Sequence, residues 1–413
     1  MSTIALININ TLVNTRAEYE LLRGKAMALL PVIRNAYLVA EDGIIESYGT
    51  MEDWHQKKNK PAEVFDASHR FLLPAWCDSH THLVFAGPRE NEFVDKIKGL
   101  TYAEIAAKGG GILNSAARLN ETSEDELFRL AWSRLEEISK LGTGSVEIKS
   151  GYGLTVEGEI KILRVIKKLK ERSKLLIRST FLGAHAFPTE FKEDHKGYID
   201  QLIHKMLPLI AAENLADYID VFCEQGFFSP GETETICRAG LGYGLKPKIH
   251  ANQLHLSGGV QTGVKLGALS VDHLETMDDE AISSLAGSGT IGTLLPTAAF
   301  FLRMPFPPAR KLIDAGCAIA LASDYNPGSS PSGNMNLVIS MACISMKLLP
   351  EEAINAATLN GAYAMGIEKE MGSITTGKRA SFILTKQIPS LAYIPYSFGI
   401  PIIDKVMING EWL

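Results

Sequence analysis

The sequence predicts an α/β protein: a (β/α)8 TIM barrel with a small β-sandwich built from both termini. Three observations support this fold class. Short apolar runs alternate with amphipathic segments through the middle of the chain, turn signals lie near both ends, and polar residues follow most of the runs. Apolar strands joined by helices are typical of a parallel sheet covered on both faces. Eight such units over about 290 residues fit a closed barrel better than an open sheet.

The predicted barrel strands are the eight apolar runs, Phe71–Trp76, Thr143–Ile148, Leu175–Leu182, Tyr218–Cys223, Lys246–Ile249, Ala268–Val271, Thr290–Leu295 and Ala318–Ala322. Segments between them carry apolar residues at helical spacing, most clearly Glu124–Lys140, Val156–Glu171 and Ile199–Asn214. We therefore expect residues 71–367 to form the barrel domain. Residues 1–70 and 368–413 are expected to form the composite small domain.

Both ends of the chain carry hairpin signals. An Asp-Gly turn separates the β-prone segments Asn35–Val39 and Ile44–Tyr48, and an Asn-Gly turn separates Lys405–Ile408 from Glu411–Leu413. A further short run, Ser381–Leu384, precedes the second hairpin. Because isolated hairpins are only marginally stable, we expect these pieces to pair into one sandwich.

Composition excludes several classes of protein. The chain has 413 residues, of which 46% are hydrophobic and 21% charged, which is ordinary for a soluble globular protein and excludes disorder, collagen and coiled coil. The net charge is −6, and the basic stretch Lys167–Lys170 lies on a predicted helix, so we expect no nucleic-acid partner. No apolar run approaches the ~18 residues of a membrane span, so we expect no membrane partner.

The cysteines and the N-terminal segment indicate a cytoplasmic protein. Five cysteines, an odd number, form no CxxC pair, which fits a reducing compartment better than a disulfide framework. The segment Met1–Asn10 has no basic residue, so a secretory signal is not expected.

Residues capable of chemistry follow the predicted strands, at the end where TIM barrels place their active sites. These residues are His80 and His82 after the first run, Glu147, Lys149 and Tyr152 after the second, then His185, Glu224, His250, Asp272 with His273, Thr297 and Asp324. The sequence therefore predicts one active site at this rim of the barrel.

Four of these residues form a candidate metal site. His80 and His82 are two positions apart, so on a strand both imidazoles point to the same side and can reach one ion. Alone, the pair is also compatible with solvated or core histidines. Adding His250 and Asp324 gives three nitrogens and one carboxylate oxygen, a set that suits Zn²⁺ or Fe and leaves room for water. The donor set does not distinguish zinc from iron.

Two further residues have alternative interpretations. His273 is either a core histidine bonded to Asp272 or a group beside the metal that polarises a carbonyl. Arg89 is either a surface charge or a fork for a substrate carboxylate. The segment Asn326–Pro331 is a turn whose amides and hydroxyls are available to a ligand. No Gly-x-Ser-x-Gly elbow or GK[ST] phosphate loop occurs.

With His80-x-His82, His250, His273 and Asp324 in this order on eight βα units, the chain resembles the amidohydrolase superfamily. Its finer similarity is to the imidazolonepropionase family. The resembling segments are 80–87, 89–93, 149–154, 180–185, 271–275 and 322–331. The likeness covers nearly the whole chain, and the segment 322–331 together with Arg89–Phe93 is the most specific part.

The resemblance implies a function and a set of site residues. The fold would be a barrel of the metal-dependent amidohydrolase type, with one zinc or iron ion per subunit held by His80, His82, His250 and Asp324. The reaction would be hydrolysis of 4-imidazolone-5-propanoate to N-formimidoyl-L-glutamate in histidine degradation. Asp324 and His273 would be catalytic, and the substrate-binding residues would be Arg89, Tyr102, Tyr152, His185, Gln253, Asn326, Gly328 and Ser329. A homodimer is expected from the family and from the frequency of two-fold symmetry.

One departure from the family pattern concerns proton transfer. The residues two and three after the third metal histidine often include an acid, whereas here they are Asn252 and Gln253. A neutral amide can hydrogen-bond the substrate ring but cannot move a proton at pH 7. Proton transfer is therefore left to Asp324 or His273, and the sequence does not choose between them. The segment Ala75–Cys77 also differs from the usual Pro-Gly lead-in, which we expect to affect packing only.

Two other functions remain possible from the sequence. The same barrel could serve another cyclic amidase or a deaminase, and Glu224 could bridge a second metal ion. Alternatively, an inactive barrel could serve as a binding protein, although that would normally involve loss of the ligands. Metal content would separate these classes.

Overall fold

The computed structural model describes residues 3–100, 104 and 110–413. Its strands are β1 (Thr3–Val13), β2 (Val32–Glu41), β3 (Ile44–Thr50), β4 (Glu63–Asp66), β5 (Phe71–Pro74), β6 (Trp76–Thr81), β7 (Thr143–Lys149), β8 (Leu176–Ala184), β9 (Tyr218–Cys223), β10 (Lys246–Ala251), β11 (Ser270–His273), β12 (Ile291–Leu294), β13 (Ile319–Leu321), β14 (Phe382–Thr385), β15 (Ile403–Ile408) and β16 (Glu411–Trp412).

The helices are α1 (Met51–Gln56), α2 (Glu90–Ile97), α3 (Ile112–Glu121), α4 (Glu124–Lys140), α5 (Val156–Arg172), α6 (His195–Gln201), α7 (Leu207–Glu213), α8 (Pro230–Gly242), α9 (Gly259–Lys265), α10 (Asp279–Ala286), α11 (Pro296–Leu302), α12 (Ala309–Asp314), α13 (Met335–Met346), α14 (Pro350–Ala357), α15 (Leu359–Ala364) and α16 (Tyr393–Tyr396). No helix in the described part of the chain is long and apolar enough to cross a membrane.

Strands β6 to β13 form a nearly closed parallel barrel in sequence order. A parallel bridge between Thr81 and Tyr325 joins the ends of the first and last strands. Two backbone hydrogen bonds reinforce this closure: Asp324 donates to the His80 carbonyl at 3.0 Å, and His82 donates to the Tyr325 carbonyl at 2.9 Å. The predicted barrel is confirmed.

The remaining strands form one mixed sheet from both termini, in the order β16-β15-β14-β5-β1-β2-β3, with β4 paired to β1. Both predicted hairpins occur, as the antiparallel pairs β2–β3 and β15–β16. The core of this sheet is apolar and includes Leu6, Leu38, Phe382 and Leu384. The expected β unit built from the two ends is therefore present beside the barrel.

The first predicted barrel strand, Phe71–Trp76, was wrong as one strand. Residues Phe71–Pro74 pair with β1 and β14 in the terminal sheet, and the barrel begins at Trp76. The change of partner is visible in adjacent amides: Ala75 donates to Ser381, whereas Trp76 donates to Gly142. The sequence does not show this change of sheet, because the residues on both sides of Ala75 are apolar and both sheets bury apolar residues.

The predicted helix Ile199–Asn214 was also wrong as one continuous α-helix. A π-helical turn at Leu202–Met206 separates α6 from α7. Pro208 lies in the first turn of α7 and has no N–H to continue the regular ladder, so the backbone readjusts in the preceding turn.

Candidate metal centre and active site

Three histidines converge at the C-terminal end of the barrel strands. One ring nitrogen each of His80, His82 and His250 lies within 4.8 Å of the others, and all three residues are buried. His80 belongs to β6 and His250 to β10, while His82 directly follows β6. The barrel thus brings two strands that are far apart in sequence to one point.

Each of these rings is oriented by an acceptor on its Nδ1 side. His80 Nδ1 lies 2.7 Å from Asp272 Oδ2, and His82 Nδ1 lies 3.3 Å from the Ser150 carbonyl oxygen. Because a carboxylate or carbonyl can only accept, these Nδ1 atoms carry the proton and the Nε2 atoms keep their lone pairs. Such partners fix the tautomer that binds a metal.

His250 lies against Asp220, which holds it through its backbone N–H. Its Nδ1 lies 3.0 Å from Asp220 Oδ2, and its backbone N–H donates to Asp220 Oδ1 at 3.1 Å. Although close to Asp220, His250 Nδ1 makes no hydrogen bond of normal geometry, and the Nε2 atoms of His80 and His250 are also buried without a hydrogen-bond partner among the described residues. Buried polar atoms are normally satisfied, so the two Nε2 atoms point to a ligand.

Asp324 lies beside the three histidines as a candidate fourth donor. Its Oδ1 lies 3.5 Å from His80 Nε2 and 3.7 Å from His82 Nε2, while Ser329 Oγ donates to its Oδ2 at 3.1 Å. Three imidazole nitrogens and one carboxylate oxygen are the donors that Zn²⁺ and Fe take in proteins. The residues present therefore fit the metal that the fold family implies.

Burial changes the protonation of these groups. It lowers the pKa of His80 and His82 well below the usual value, and nearby cationic groups, including Lys149, act in the same direction. Both imidazoles are therefore neutral at pH 7, which is the form that binds a metal. Burial also raises the pKa of Asp324, against the opposing effect of His273 and His250.

Several site residues adopt left-handed backbone conformations. The φ angles are 54° at Asn252, 87° at His273, 66° at Leu274 and 53° at Asp324. Asn, Asp and His are enriched in this region among non-glycine residues, whereas Leu rarely occupies it. Strained backbone of this kind concentrates at functional sites and costs about 1–3 kcal/mol for each residue. Here it turns the chain at the ends of the strands that carry the candidate site.

A cavity adjoins the histidine cluster and contains most of the predicted site residues. It is lined by His82, Tyr152, His185, Phe222, His250, Gln253, His273, Asp324, Asn326 and Ser329. The structure thus brings together residues that follow six of the eight predicted strands. Tyr102 lies outside the described residues.

His185 is a neutral, oriented ring in this cavity. Its Nδ1 lies 3.0 Å from the Gly151 carbonyl oxygen, so Nδ1 carries the proton and Nε2 is an acceptor. Burial lowers the pKa of His185 to about 3. The ring stacks on His82, with centroids 5.3 Å apart.

His273 contacts Glu275 and not its neighbour Asp272. Its Nδ1 lies 3.4 Å from Glu275 Oε1, whereas Asp272 bonds to His80. The alternative of a core histidine bonded to Asp272 was therefore wrong. Although burial opposes it, the Glu275 carboxylate and the charges of Asp324 and Asp272 raise the pKa of His273.

Arg89 lies beside the turn that follows Asp324. Its Nε and Nη2 donate to Glu92 Oε2 at 2.9 and 2.5 Å. A Cβ at Gly328 would lie 2.4 Å from Arg89 Nη1, so only glycine permits this approach of the guanidinium. Asn326 Oδ1 accepts from the backbone N–H groups of Gly328 and Ser329 at 2.8 and 2.9 Å. The turn at residues 326–329 is therefore held by hydrogen bonds to the Asn326 side chain.

The two amides after His250 have different surroundings. Gln253 lines the cavity, whereas Asn252 Oδ1 accepts a hydrogen bond from Ser257 Oγ at 3.1 Å. Glu224 accepts from the backbone N–H of Leu254 and contacts His255 Nδ1 at 3.1 Å. Glu224 therefore holds the loop that carries Gln253 and does not join the three-histidine group.

A buried ion cluster beneath the site went unrecognised in the sequence. It consists of Glu147, Lys149, Asp220, Lys248 and Asp272. Lys149 Nζ lies 2.6 Å from Glu147, 2.8 Å from Asp220 and 3.5 Å from Asp272, and Lys248 also contacts Glu147. These carboxylates raise the pKa of Lys149 against the effect of burial. The signal was present as charged residues at alternate positions of otherwise apolar strands.

Comparisons with known proteins agree with this architecture. Residues 191–413 match the model of the Amidohydrolase family. The chain also resembles solved structures, including an adenosine deaminase from Xanthomonas campestris with bound zinc (TM-score 0.72, 16% identity, 99% of this chain and 92% of that one). A second is E. coli guanine deaminase (TM-score 0.72, 14% identity, 100% and 99%). The fold, the family match and the three-histidine centre define an amidohydrolase.

Closer relatives narrow the family. The chain is 58% identical to the imidazolonepropionase of Flavobacterium johnsoniae over 405 residues, covering 98% of both chains. It is 43% identical to that of Clostridium tetani over 389 residues, covering 94% of this chain and 93% of the relative. The chain belongs to the imidazolonepropionase family, and it is a hydrolase of carbon–nitrogen bonds in cyclic amides that acts in histidine degradation.

Proposed function

We propose that the chain hydrolyses 4-imidazolone-5-propanoate to N-formimidoyl-L-glutamate, with one zinc or iron ion per subunit held by His80, His82, His250 and Asp324. The observation that carries this proposal is the convergence of three oriented imidazoles within 4.8 Å, beside a buried carboxylate. When bound, such an ion acts as a Lewis acid and lowers the pKa of a water molecule to about 7.

The chain's own residues move the proton and stabilise charge. Asp324, held by Ser329, takes a proton from the attacking water and returns it to the ring nitrogen that departs as the carbon–nitrogen bond breaks. His273, held through Nδ1 by Glu275, donates a hydrogen bond to the carbonyl oxygen as it gains negative charge. A preorganised donor of this kind contributes about 3 kcal/mol to a transition state.

Different residues bind the two ends of the substrate, the propionate and the imidazolone ring. Arg89 and Tyr152, with Tyr102, hold the propionate, because a guanidinium pairs with a carboxylate in a fixed geometry. His185 accepts a ring N–H through Nε2, since its Nδ1 is engaged by Gly151. Gln253 lines the cavity and hydrogen-bonds the ring, while Asn326, Gly328 and Ser329 contact substrate or product.

We also propose a two-domain organisation, a homodimer and a cytoplasmic location. Residues 1–74 with 368–413 form the composite domain and 76–367 the barrel domain, so the boundary expected at residue 70 moves to the crossing at Ala75, as the strand pairing and the Ala75 hydrogen bond support. Exposed apolar residues Tyr396, Phe398 and Ile400 support an interface between copies. Light scattering of a Phe398→Glu variant tests this, because retention of the wild-type mass would argue against that interface.

The cysteines are free thiols, which suits a reducing compartment.

The proposed reaction is tested by supplying freshly made 4-imidazolone-5-propanoate and following the loss of its absorbance. We expect turnover well above spontaneous decay and about one metal ion per chain by atomic spectroscopy. Asp324→Ala should abolish both, whereas His69→Ala, on a turn away from the cluster, should preserve both. Arg89→Ala should lower kcat/KM mainly through KM. Metal-loaded protein that leaves the substrate at its decay rate would refute the proposal.

A further inference from the structure

The segment that carries Ser150, Gly151 and Tyr152 is held by a buried carboxylate that takes no part in the chemistry above. Glu159 lies in the first turns of α5 and has no exposed surface. Its Oε1 accepts hydrogen bonds from the backbone N–H groups of Gly153 at 2.7 Å and Leu154 at 2.9 Å. Its Oε2 accepts from the N–H of Gly151 at 3.0 Å. One side chain thus binds three amides of one loop.

The glycines of this loop are required by the same packing. Gly151 has a φ of 105°, and a Cβ there would lie 2.9 Å from His185 Nδ1. A Cβ at Gly153 would lie 2.4 Å from the Glu159 backbone nitrogen and 2.9 Å from its Oε1. The loop backbone therefore lies directly between Glu159 on one side and His185 on the other.

The two carbonyls of this loop that face histidines are supported differently. Ser150, whose carbonyl faces His82, is anchored to the barrel by its N–H, which donates to Thr180 at 2.9 Å. Gly151, whose carbonyl accepts from His185 Nδ1, has its N–H bound by Glu159 instead. Glu159 also accepts a hydrogen bond from the side chain of Ser150, but the Ser150 backbone keeps its bond to Thr180 when Glu159 is changed. Changes at Glu159 should therefore disturb His185 more than the metal ligand His82.

We propose that Glu159 is a positioning residue that holds the substrate-facing ring of His185 through the Gly151 peptide. The proposal rests on the proposed function for the role of His185 in binding the substrate ring. Glu159 touches neither the substrate nor the metal ligands, and it sets where the Nε2 acceptor of His185 lies. Residues that orient metal ligands in this indirect way typically change metal affinity or activity about 10- to 100-fold when they are altered, and we expect an effect of the same order on substrate binding here.

The test is Glu159→Gln, which preserves size and one acceptor oxygen. With that oxygen in the Oε1 position, the Gln NH₂ group faces the Gly151 N–H, so one of the three bonds becomes a donor–donor contact. We expect KM to rise and affinity for N-formimidoyl-L-glutamate to fall, each about tenfold or more, with a smaller change in kcat. Metal content should stay at the wild-type value.

Glu352→Gln is the matched control. Glu352 is also a buried glutamate near a helix start, and it accepts from the Leu349 N–H at 2.7 Å and pairs with Arg310. It lies outside the cavity, so its substitution should lower thermal stability without changing KM or product affinity. A change in KM confined to Glu159→Gln thus separates positioning from general destabilisation.

A double-mutant cycle with His185→Ala gives the decisive result. If Glu159 acts through His185, the double variant should be no worse in product affinity than His185→Ala alone, whereas additive losses would overturn the inference. The ¹⁵N signals of the His185 ring, identified by their absence in His185→Ala, give a readout that needs no turnover. They should shift in Glu159→Gln, and unchanged signals would overturn the inference. A wild-type chain inactive on the substrate would refute the proposed function, while these ring signals would still decide the role of Glu159.

Discussion

The inside of the barrel and the core of the terminal sheet are both closed to water but are filled with different side chains. Beneath the metal centre lie Glu147, Lys149, Asp220, Lys248 and Asp272, all charged and buried. The terminal sheet instead buries an apolar cluster that includes Leu6, Phe382 and Leu384. Apolar burial stabilises a fold, whereas a buried ion cluster contributes little net stability. The comparison indicates that these buried charged side chains serve to hold the histidines in place.

Lys149→Met should have the largest effect, because it acts on stability and activity together. It leaves Asp220 and Asp272 buried without the cation they share, while Glu147 keeps Lys248, and removing one partner of a buried ion pair costs about 3–5 kcal/mol. Turnover should also be lost, since Asp220 and Asp272 orient His250 and His80. Urea unfolding and the ring-opening assay measure the two effects. Exposed Lys167→Met is the control, and a fully active Lys149→Met would contradict the comparison.

Leu384→Ala should destabilise the chain without changing the chemistry. Leu384 is fully buried in the terminal sheet, and deletion of such a side chain costs about 2–5 kcal/mol. Because this core is separate from the barrel axis, kcat and metal content of the folded fraction should equal those of wild type. Leu413→Ala, at a position 53% exposed, should be nearly neutral. A fall in kcat would show that the terminal sheet supports the site directly.

Asp272→Asn should weaken metal binding while leaving the fold in place. The substitution removes the charge that fixes the His80 tautomer, and such changes typically lower metal affinity about 10- to 100-fold. Competition with a chelator measures the change. Asp217→Asn, where the aspartate accepts from the Ser179 N–H at the opposite end of the barrel, is the matched control. Equal metal affinities in the two variants would argue against an orienting role for Asp272.

The smallest expected effect concerns Lys378, a buried lysine of the terminal unit. It packs over the Tyr19 ring at 3.6 Å and donates to Ser373, and burial lowers its pKa to about 8, with Arg16 acting in the same direction and Cys77 and Glu368 opposing. The unfolded chain retains this proton up to about 10.5, so between these values it binds more protons than the folded chain. Stability from this group should therefore rise with pH between about 8 and 10.5.

The comparison with Lys378→Met isolates this contribution. The variant should lack the alkaline rise and should gain stability relative to wild type below pH 8, as measured by urea midpoints across pH 7 to 10.5. If the urea midpoints of the two proteins changed with pH in parallel, burial of the Lys378 ammonium would have no cost in stability. Lys149 makes the contrast, because its three carboxylates raise its pKa although it is also buried.

The sequence was sufficient to predict the barrel, its order of strands and the residues at its rim. Period and turn chemistry located seven of the eight runs, because each barrel strand is apolar and bounded by a turn. The remaining run, Phe71–Trp76, was wrongly predicted as one barrel strand, because hydropathy indicates burial but does not identify the partner strand. The π-helical turn at Leu202–Met206 was not predicted for a similar reason, since apolar spacing hardly distinguishes an α turn from a π turn.

Within the site, the sequence predicted groups but not their pairing. Asp272 and His273 are neighbours in the chain, yet Asp272 supports His80, while His273, whose φ of 87° turns the backbone, lines the cavity and contacts Glu275. The carbonyls of Ser150 and Gly151 are backbone atoms, and no residue type announces their role. Such partners become visible only when strands distant in sequence are brought together.

The closure of the barrel has a consequence for the order in which the protein matures. His80 and His82 stand at its first strand and Asp324 after its last, and these segments are bonded directly to each other. During synthesis, a chain that has not yet released its last barrel strand from the ribosome carries an incomplete set of donors. The nascent protein therefore acquires the full set of proposed donors only when the barrel closes, and until then its histidines lack the carboxylate.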